Sequence, residues 1–381
     1  MVKENSHSNL GLYIHIPYCQ KKCPYCAFYS EPIDQHKPEQ LADALFMELE
    51  RYAITDPLET LYIGGGSPTC LPEQLLLEII VSLVSQYKDA AEFTIECNPA
   101  QADEKTLKQL RTLGVSRLSI GAQSFNTNEL KTLGRIHSPK QIAEAVRMGK
   151  EAGFENIGLD LIFGIPESTL ADWQFSLECA AALEVQHISA YSLTIEKGTP
   201  FGRAAKAGKL AMIDEAAERK MHEAARVLLK DAGFAQYEIS NFAKPGFQCQ
   251  HNIRYWKNQP VVGIGPSASG WYRGKRTTNI ADTPAYIEKI ENRQFAYSEE
   301  HTPAPEQIAC ETAVLGLRMT DGIDMLEYEK QTGFEFFGLF WNVVKEYCFS
   351  GLLICDSAHC RLTEKGLSYA DTVSADFASL D

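Results

Sequence analysis

The chain predicts an α/β fold: a parallel sheet wound with helices into a partial TIM-like barrel, followed by a small, mainly helical domain. Two patterns support the barrel. Short apolar runs alternate with amphipathic stretches from residue 12 to residue 193, as in parallel strands joined by right-handed helical crossovers. Polar residues and glycines collect where those runs end, which is where ligands gather on such sheets. A third pattern marks the second domain: after about residue 300 the periodicity turns helical and closes on a short hairpin.

Six runs read as strands, at 12–16, 60–64, 92–97, 117–120, 156–163 and 187–193. Helices are predicted between them at 38–53, 72–87, 103–113, 139–152 and 170–183. In the second helix Leu75, Ile79, Ile80 and Leu83 share one face. Ser67-Pro68 and Ser138-Pro139 signal helix entry or a turn, and Gly114 and Gly153 signal helix stops. Six strands fall short of the eight of a closed barrel, hence a partial one. Residues 214–232 read as one helix striped by Ala217, Met221, Ala224 and Leu228. A strand-like run at 236–240 and a Gly-, Pro- and Asn-rich connection through Gly274 follow. In the tail, 306–317, 324–331 and 336–347 read as helices, 351–355 and 360–362 as a hairpin, with a last helix from Thr363. The expected division is a barrel at 10–240, a connecting segment at 241–300 and a C-terminal domain at 301–381.

A chain of 381 residues is long enough for a substantial core and a second, smaller domain. Net charge is −14, from 36 basic and 50 acidic residues. That argues against nucleic acid or an anionic membrane as main partner, because both require a positive field. Residues 1–11 are polar and lack an apolar core, so no signal peptide is expected. No membrane span is expected either, for want of a run of about 18 apolar residues; peripheral membrane contact stays open. Eleven cysteines, an odd number, do not form a secreted disulfide framework. Cys70, Cys97, Cys179, Cys249, Cys310, Cys348, Cys355 and Cys360 are scattered and expected to be ordinary reduced thiols, in keeping with a cytoplasmic location.

The other three cysteines, Cys19, Cys23 and Cys26, are spaced C-x3-C-x2-C at the exit of the first strand. At this cysteine content the spacing arises by chance in roughly one such chain in a hundred. A [4Fe–4S] cluster is usually held by four thiolates. Three leave one iron free to bind a small molecule. Two plainer readings stand beside this one: three buried thiols, or a zinc site, which would need a fourth ligand and more often uses two paired knuckles or histidines.

Tyr13-Ile14-His15-Ile16-Pro17 precedes the triad and Pro24-Tyr25 lies within it. With these neighbours the sequence resembles the radical S-adenosylmethionine (radical SAM) superfamily over nearly its whole length. It is most similar to the branch holding the oxygen-independent coproporphyrinogen III dehydrogenases and the heme chaperones of the HemW type. The resemblance implies an open (β/α)6 barrel, a [4Fe–4S] cluster on Cys19, Cys23 and Cys26, and SAM bound at the open iron. It also implies that the tail is a HemN-type C-terminal domain of winged-helix-like arrangement; the tail carries no Lys/Arg cluster of the kind that binds DNA.

Further residues follow from the same resemblance, each with a physical reading of its own. Tyr13 and Tyr25 are placed beside SAM, where aromatics limit water; packing is the alternative. Gly64-Gly65-Gly66-Ser67 closes the second strand and lets a ligand approach the backbone, and Gly65, Gly66 and Ser67 are implied to meet SAM. Glu96, Gln123 and Asp160 interrupt apolar runs, which is costly without partners. Arg135 offers a planar fork to a carboxylate. Each of these four can be a structural ion pair or hydrogen bond; together they describe a nucleoside–amino acid pocket. Ala190 is carried over on resemblance alone.

Two marks divide the branch. Coproporphyrinogen dehydrogenases continue C-x3-C-x2-C-x-C, whereas this chain has Ala27-Phe28 after Cys26. His251-Asn252-Ile253-Arg254-Tyr255-Trp256 matches the H-N-x-x-Y-W motif of the chaperone type. Imidazole is a usual axial ligand of heme, and Tyr and Trp offer flat faces to a porphyrin, so His251, Asn252, Tyr255 and Trp256 are candidates for heme; a capped turn on the barrel rim is the alternative. The expected function is a heme chaperone with a heme acceptor of the respiratory chain and an electron donor as partners. A coproporphyrinogen III dehydrogenase is the second reading, and a radical SAM enzyme with another substrate the third.

Overall fold

The computed structural model describes residues 10–35, 37–87 and 90–380; the residues before Leu10, on which the expectation about a signal peptide chiefly rests, lie outside these. Six parallel strands stand side by side in chain order: β1 (Leu10–Ile16), β2 (Leu58–Gly65), β3 (Glu92–Cys97), β4 (Arg117–Gln123), β5 (Asn156–Phe163) and β6 (His187–Ser192). Strand alternation sorts their side chains. Leu12, Ile14, Ile63, Ile95, Leu118, Ile120, Leu159 and Ile188 are buried in the apolar core. The residues between them, such as Tyr62, Glu96, Ser119, Asp160 and Ser189, face the inside of the barrel and line its cleft.

The crossovers are α1 (Pro38–Tyr52), α2 (Glu73–Tyr87), α3 (Glu104–Thr112), the short α4 (Thr127–Thr132), α5 (Pro139–Glu151), α6 (Leu170–Ala182), α7 (Pro200–Lys206) and α8 (Glu215–Asp231). Their starts follow local chemistry. Ser138 and Gln141 form a capping box on α5, with Pro139 in the first turn, and Thr169 does the same with Asp172 on α6. Asp103 and Asp214 cap α3 and α8.

The stretch expected as a connection contributes strands to this same sheet. After β7 (Ala235–Glu238), β8 (Asn241–Ala243) pairs antiparallel with β6. Helix α9 (Gln250–Trp256) leads to β9 (Val261–Ile264), which lies parallel to β1 on its free side. Three antiparallel strands, β10 (Ser269–Tyr272), β11 (Lys275–Asn279) and β12 (Tyr297–His301), continue outward, with α10 (Thr283–Glu291) packed on α1. Buried Glu48 of α1 ties this extension down. It accepts hydrogen bonds from the Gly265 amide, Asn279 and the Tyr286 hydroxyl.

The C-terminal domain has its own core around Tyr328, Phe336, Phe340 and Phe377. It comprises α11 (Pro305–Gly316), α12 (Met325–Thr332), α13 (Phe336–Phe349), α14 (Glu364–Leu367) and α15 (Ala370–Ala375), with a small sheet. In that sheet β15 (His359–Leu362) lies between β13 (Ile323–Asp324) and β14 (Leu353–Cys355). No helix among the described residues is long and apolar enough to cross a membrane.

Candidate functional site

A cleft of about 540 Å³ opens at the carboxyl ends of the barrel strands. The loop from Pro17 to Ser30 forms one wall and carries Cys19, Cys23 and Cys26, all free and half-buried, into the cleft. The loop is held on several sides. His15 Nε2 bonds the Tyr29 carbonyl at 2.9 Å, and the Tyr29 hydroxyl accepts from the Thr283 amide at the start of α10. The Pro24 carbonyl accepts from the Phe201 amide. Gly134, at φ 68°, makes room for the Pro24 ring, 2.6 Å from where its Cβ would stand.

Burial pushes Cys19 up to about 11, aided by the neighbouring Cys26, and burial also raises Cys26. Iron binding therefore displaces protons. Among the described residues no three Cys, His, Asp or Glu side chains converge on a point suited to a single metal ion. A four-iron cluster has no such need, because each thiolate binds a different iron. Cys70 sits behind the loop, its thiol donating to the Tyr18 carbonyl at 3.2 Å, and does not line the cleft.

The wall opposite is polar. Glu96 accepts from the Tyr62 hydroxyl at 2.9 Å and the Gly65 amide at 3.1 Å. Burial, then the charge of Asp160, raises its carboxyl to about 7. Asp160 accepts from Ser189 at 2.7 Å and Ser119 at 3.3 Å, and burial raises it too. Gln123 adopts φ 66° just past a register shift against β5, which ends β4 and turns the amide into the cleft. Arg135 donates to the Gly121 carbonyl at 2.9 Å and to Cys23 Sγ at 3.7 Å, while its buried Nε has no partner.

The glycine run serves packing more than ligand approach. A Cβ at Gly64 would stand 2.7 Å from the Glu96 carboxylate, at Gly65 2.7 Å from the His15 ring, and at Gly66 2.5 Å from the Tyr18 carbonyl. The three glycines let β2 end tightly against β3 and the cysteine loop, and Gly65, Gly66 and Ser67 still line the cleft. Ser67 donates to Gln101 at 2.7 Å.

Two expected residues are not in the lining. Ala190 points into the apolar core because alternation sends Ser189 and Tyr191 inward instead. Tyr13 lies deeper, its hydroxyl 3.0 Å from His15 Nδ1 and its ring against Tyr62 and His251. Tyr25 lines the cleft. Conversely, the structure adds Tyr62, Tyr191 and Arg117, which the sequence reading misses. Arg117 opens β4 and is 1 % exposed, yet it lines the cleft floor with its Nε unpartnered. Its charge lowers the carboxyls of both Glu96 and Asp160 against the burial that raises them. A cation opening a predicted buried strand is the signal that could have found it. Phe28 stands at the mouth of the cleft, 71 % exposed.

The His251–Trp256 motif is not at this mouth. It forms α9 beneath the barrel, against the amino-terminal ends of the strands, where the Glu92 carboxylate caps it by accepting from the Gln250 and His251 amides. His251 is 1 % exposed. Its Nδ1 bonds Thr60 Oγ1 at 2.8 Å, its Nε2 faces the Tyr255 hydroxyl at 3.3 Å, and burial lowers its pKa to about 3. Trp256 has Arg318 stacked over its ring at 4.4 Å. In this arrangement both His251 ring nitrogens are engaged within the protein, the Tyr255 hydroxyl faces His251, and Arg318 covers one face of the Trp256 indole. Asn252 alone of the motif reaches the cleft lining.

An open barrel whose strand ends bring a three-thiol loop over acids, an amide and an arginine has the architecture of a radical SAM protein. Comparison with known proteins bears on the same point. Residues 13–180 match the radical SAM superfamily and residues 304–369 the HemN C-terminal domain. The solved structure of the radical SAM enzyme coproporphyrinogen III oxidase (HemN) from Escherichia coli superposes with a TM-score of 0.85, at 22 % identity, covering 99 % of this chain and 92 % of that one. The heme chaperone HemW of Bacillus subtilis is 35 % identical over 362 residues, 93 % of this chain and 95 % of that protein. The heme chaperone HemW of Lactococcus lactis is 33 % identical over 367 residues, 96 % of each. The chain belongs to the HemW family of the radical SAM superfamily.

That superfamily implies a [4Fe–4S] cluster and SAM. The residues present fit both: three thiols share one loop, and the orphaned Arg135 Nε sits in the cleft with Glu96, Gln123 and Asp160.

Proposed function

We propose that this protein is a heme chaperone that binds heme and passes it to an acceptor of the respiratory chain, with a SAM-bound [4Fe–4S] cluster in its barrel. Cys19, Cys23 and Cys26 hold the cluster in this reading, and Arg135 holds the carboxylate of SAM. Glu96 and Asp160 accept from ribose hydroxyls, with Tyr62, Ser119 and Ser189 fixing the two carboxylates and Arg117 favouring their charged forms. Tyr25 and the cysteine loop keep bulk water from the thiolates. When bound and reduced by an external electron donor, the cluster would supply the electron for reductive cleavage of SAM. The observation that carries the choice of chaperone is Phe28. Coproporphyrinogen dehydrogenases, as the motif comparison implies, have a cysteine at this position, and here an exposed ring stands at the cleft mouth.

The dehydrogenase remains the second reading, favoured by the close likeness of the whole fold to HemN. The test is anaerobic reconstitution followed by parallel assays. A chaperone binds heme and leaves coproporphyrinogen III unchanged even with SAM and reductant. Sustained decarboxylation would reverse the ranking. Ligation of heme by His251 would require α9 to leave Thr60 and Glu92.

A further inference from the structure

Three of the cysteines expected to be scattered come together in the C-terminal domain. Cys355 of β14 and Cys360 of β15 are directly opposite across the hairpin, and their sulfurs lie against each other, within reach of a disulfide. Cys348, in the last turn of α13, places its Sγ 4.0 Å from that of Cys355. We propose that these residues form a thiol–disulfide exchange site, in which Cys355 and Cys360 share the disulfide and Cys348 connects that pair to an external low-molecular-weight thiol or disulfide.

A structural staple does not account for the arrangement. A crosslink between residues five apart constrains little of the unfolded chain, and this hairpin closes without it. Leu353 pairs with Leu362 and Ile354 with Arg361, while Asp356 accepts from the Ala358 and His359 amides to form the turn. A third thiol, from a separate helix, is the part a staple does not need and an exchange site does. Access divides the roles. Cys360 is fully buried, whereas Cys348 and Cys355 are half-buried, and Cys348 is followed by the exposed Phe349. An outside reagent therefore meets Cys348 or Cys355, and Cys360 acts only as an internal partner.

The chemistry balances with a disulfide such as oxidised glutathione as the oxidant. The Cys348 thiolate attacks it, forms a mixed disulfide and releases one glutathione thiolate. The Cys355 thiolate attacks Cys348 Sγ and releases the second. The Cys360 thiolate then attacks Cys355 Sγ, forming Cys355–Cys360 and returning Cys348 as a thiolate. Two electrons leave the protein pair for the glutathione pair. The protons shed by Cys355 and Cys360 end on the two glutathione sulfurs.

The test uses the full-length protein with its cluster reconstituted anaerobically. It is equilibrated with reduced and oxidised glutathione at a series of ratios, quenched with an alkylating agent and mapped by peptide mass spectrometry. The expected result is a Cys355–Cys360 disulfide that grows with the oxidised fraction and reverses on reduction. In Cys360→Ser a Cys348–Cys355 disulfide should replace it. In Cys348→Ser the Cys355–Cys360 bond should form about tenfold more slowly. Equal alkylation of all three thiols at every ratio would overturn the proposal, as would free Cys348 and Cys355 in oxidised Cys360→Ser. Should the variants fail to fold, the wild-type time course decides. A glutathione adduct on Cys348 ahead of the disulfide is expected, and a disulfide formed with no such adduct contradicts the exchange role.

Discussion

Arg135 reaches toward the cysteine loop with one guanidinium nitrogen, anchors on the Gly121 carbonyl with another, and leaves Nε without a partner. A charge-assisted bond to a ligand carboxylate is worth roughly 1.5–3 kcal/mol, about ten- to a hundredfold in affinity. Arg135→Ala should weaken SAM binding by that factor, measured on reconstituted protein, with iron and sulfide content unchanged. Glu96 makes a complementary prediction. Its carboxyl is raised to about 7 by burial and by Asp160, so the charged form that accepts from a ribose hydroxyl is lost as pH falls through 7. SAM affinity should drop from pH 8 to pH 6, and Glu96→Gln should flatten that dependence. A pH profile the same in both proteins would remove Glu96 from the ribose site. His251 belongs to a different role. Truncating a buried ring that bonds Thr60 and packs on Tyr62 should cost about 2–4 kcal/mol of stability in His251→Ala, read from denaturant unfolding.

At the scale of elements, the cysteine loop and the extension of the sheet each rest on a few polar ties. Cys19→Ala, Cys23→Ala or Cys26→Ala should each abolish a stable cluster by iron, sulfide and electron paramagnetic resonance. Cys70→Ala should not, since that thiol lies behind the loop. A full cluster in any triad variant would contradict the assignment. Glu48 gives the extension a pH signature. Burial raises its carboxyl from 4.5 to about 7, so between these values the folded protein keeps a proton that the unfolded chain has lost. The stability this contributes is full below pH 4.5 and disappears as pH rises through 7. The amide of Glu48→Gln does not titrate. The wild type should therefore lose stability relative to that variant, on the order of 2 kcal/mol, between pH 5 and pH 8.

For the whole molecule, what is legible in the sequence is what local pattern determines. The six core strands show as apolar runs, and Cys19, Cys23 and Cys26 as a spacing. Glu96, Gln123 and Asp160 stand out because a polar group breaks an apolar run. What tertiary pairing determines is not legible. Val261–Ile264 is four residues between Pro260 and Gly265, and it becomes a strand because the free edge of β1 receives it. The side chain of Ala190 turns to the core, and a position carried over by resemblance says nothing of which face it takes. His251 looks like a ligand until Thr60 and Glu92, from distant strands, are seen to hold its ring and amide. The three-thiol cluster of the C-terminal domain joins a helix end to a hairpin, which no spacing rule relates.

In the proposed function a radical SAM barrel serves heme handling rather than porphyrinogen decarboxylation. The most direct test is the tetrapyrrole content of the anaerobically reconstituted protein after incubation with heme, coproporphyrinogen III, SAM and a low-potential reductant, resolved by chromatography. The expected result is heme retained on the protein and coproporphyrinogen III recovered intact. Formation of protoporphyrinogen IX through repeated turnovers, with no heme retained, would instead make the protein a dehydrogenase.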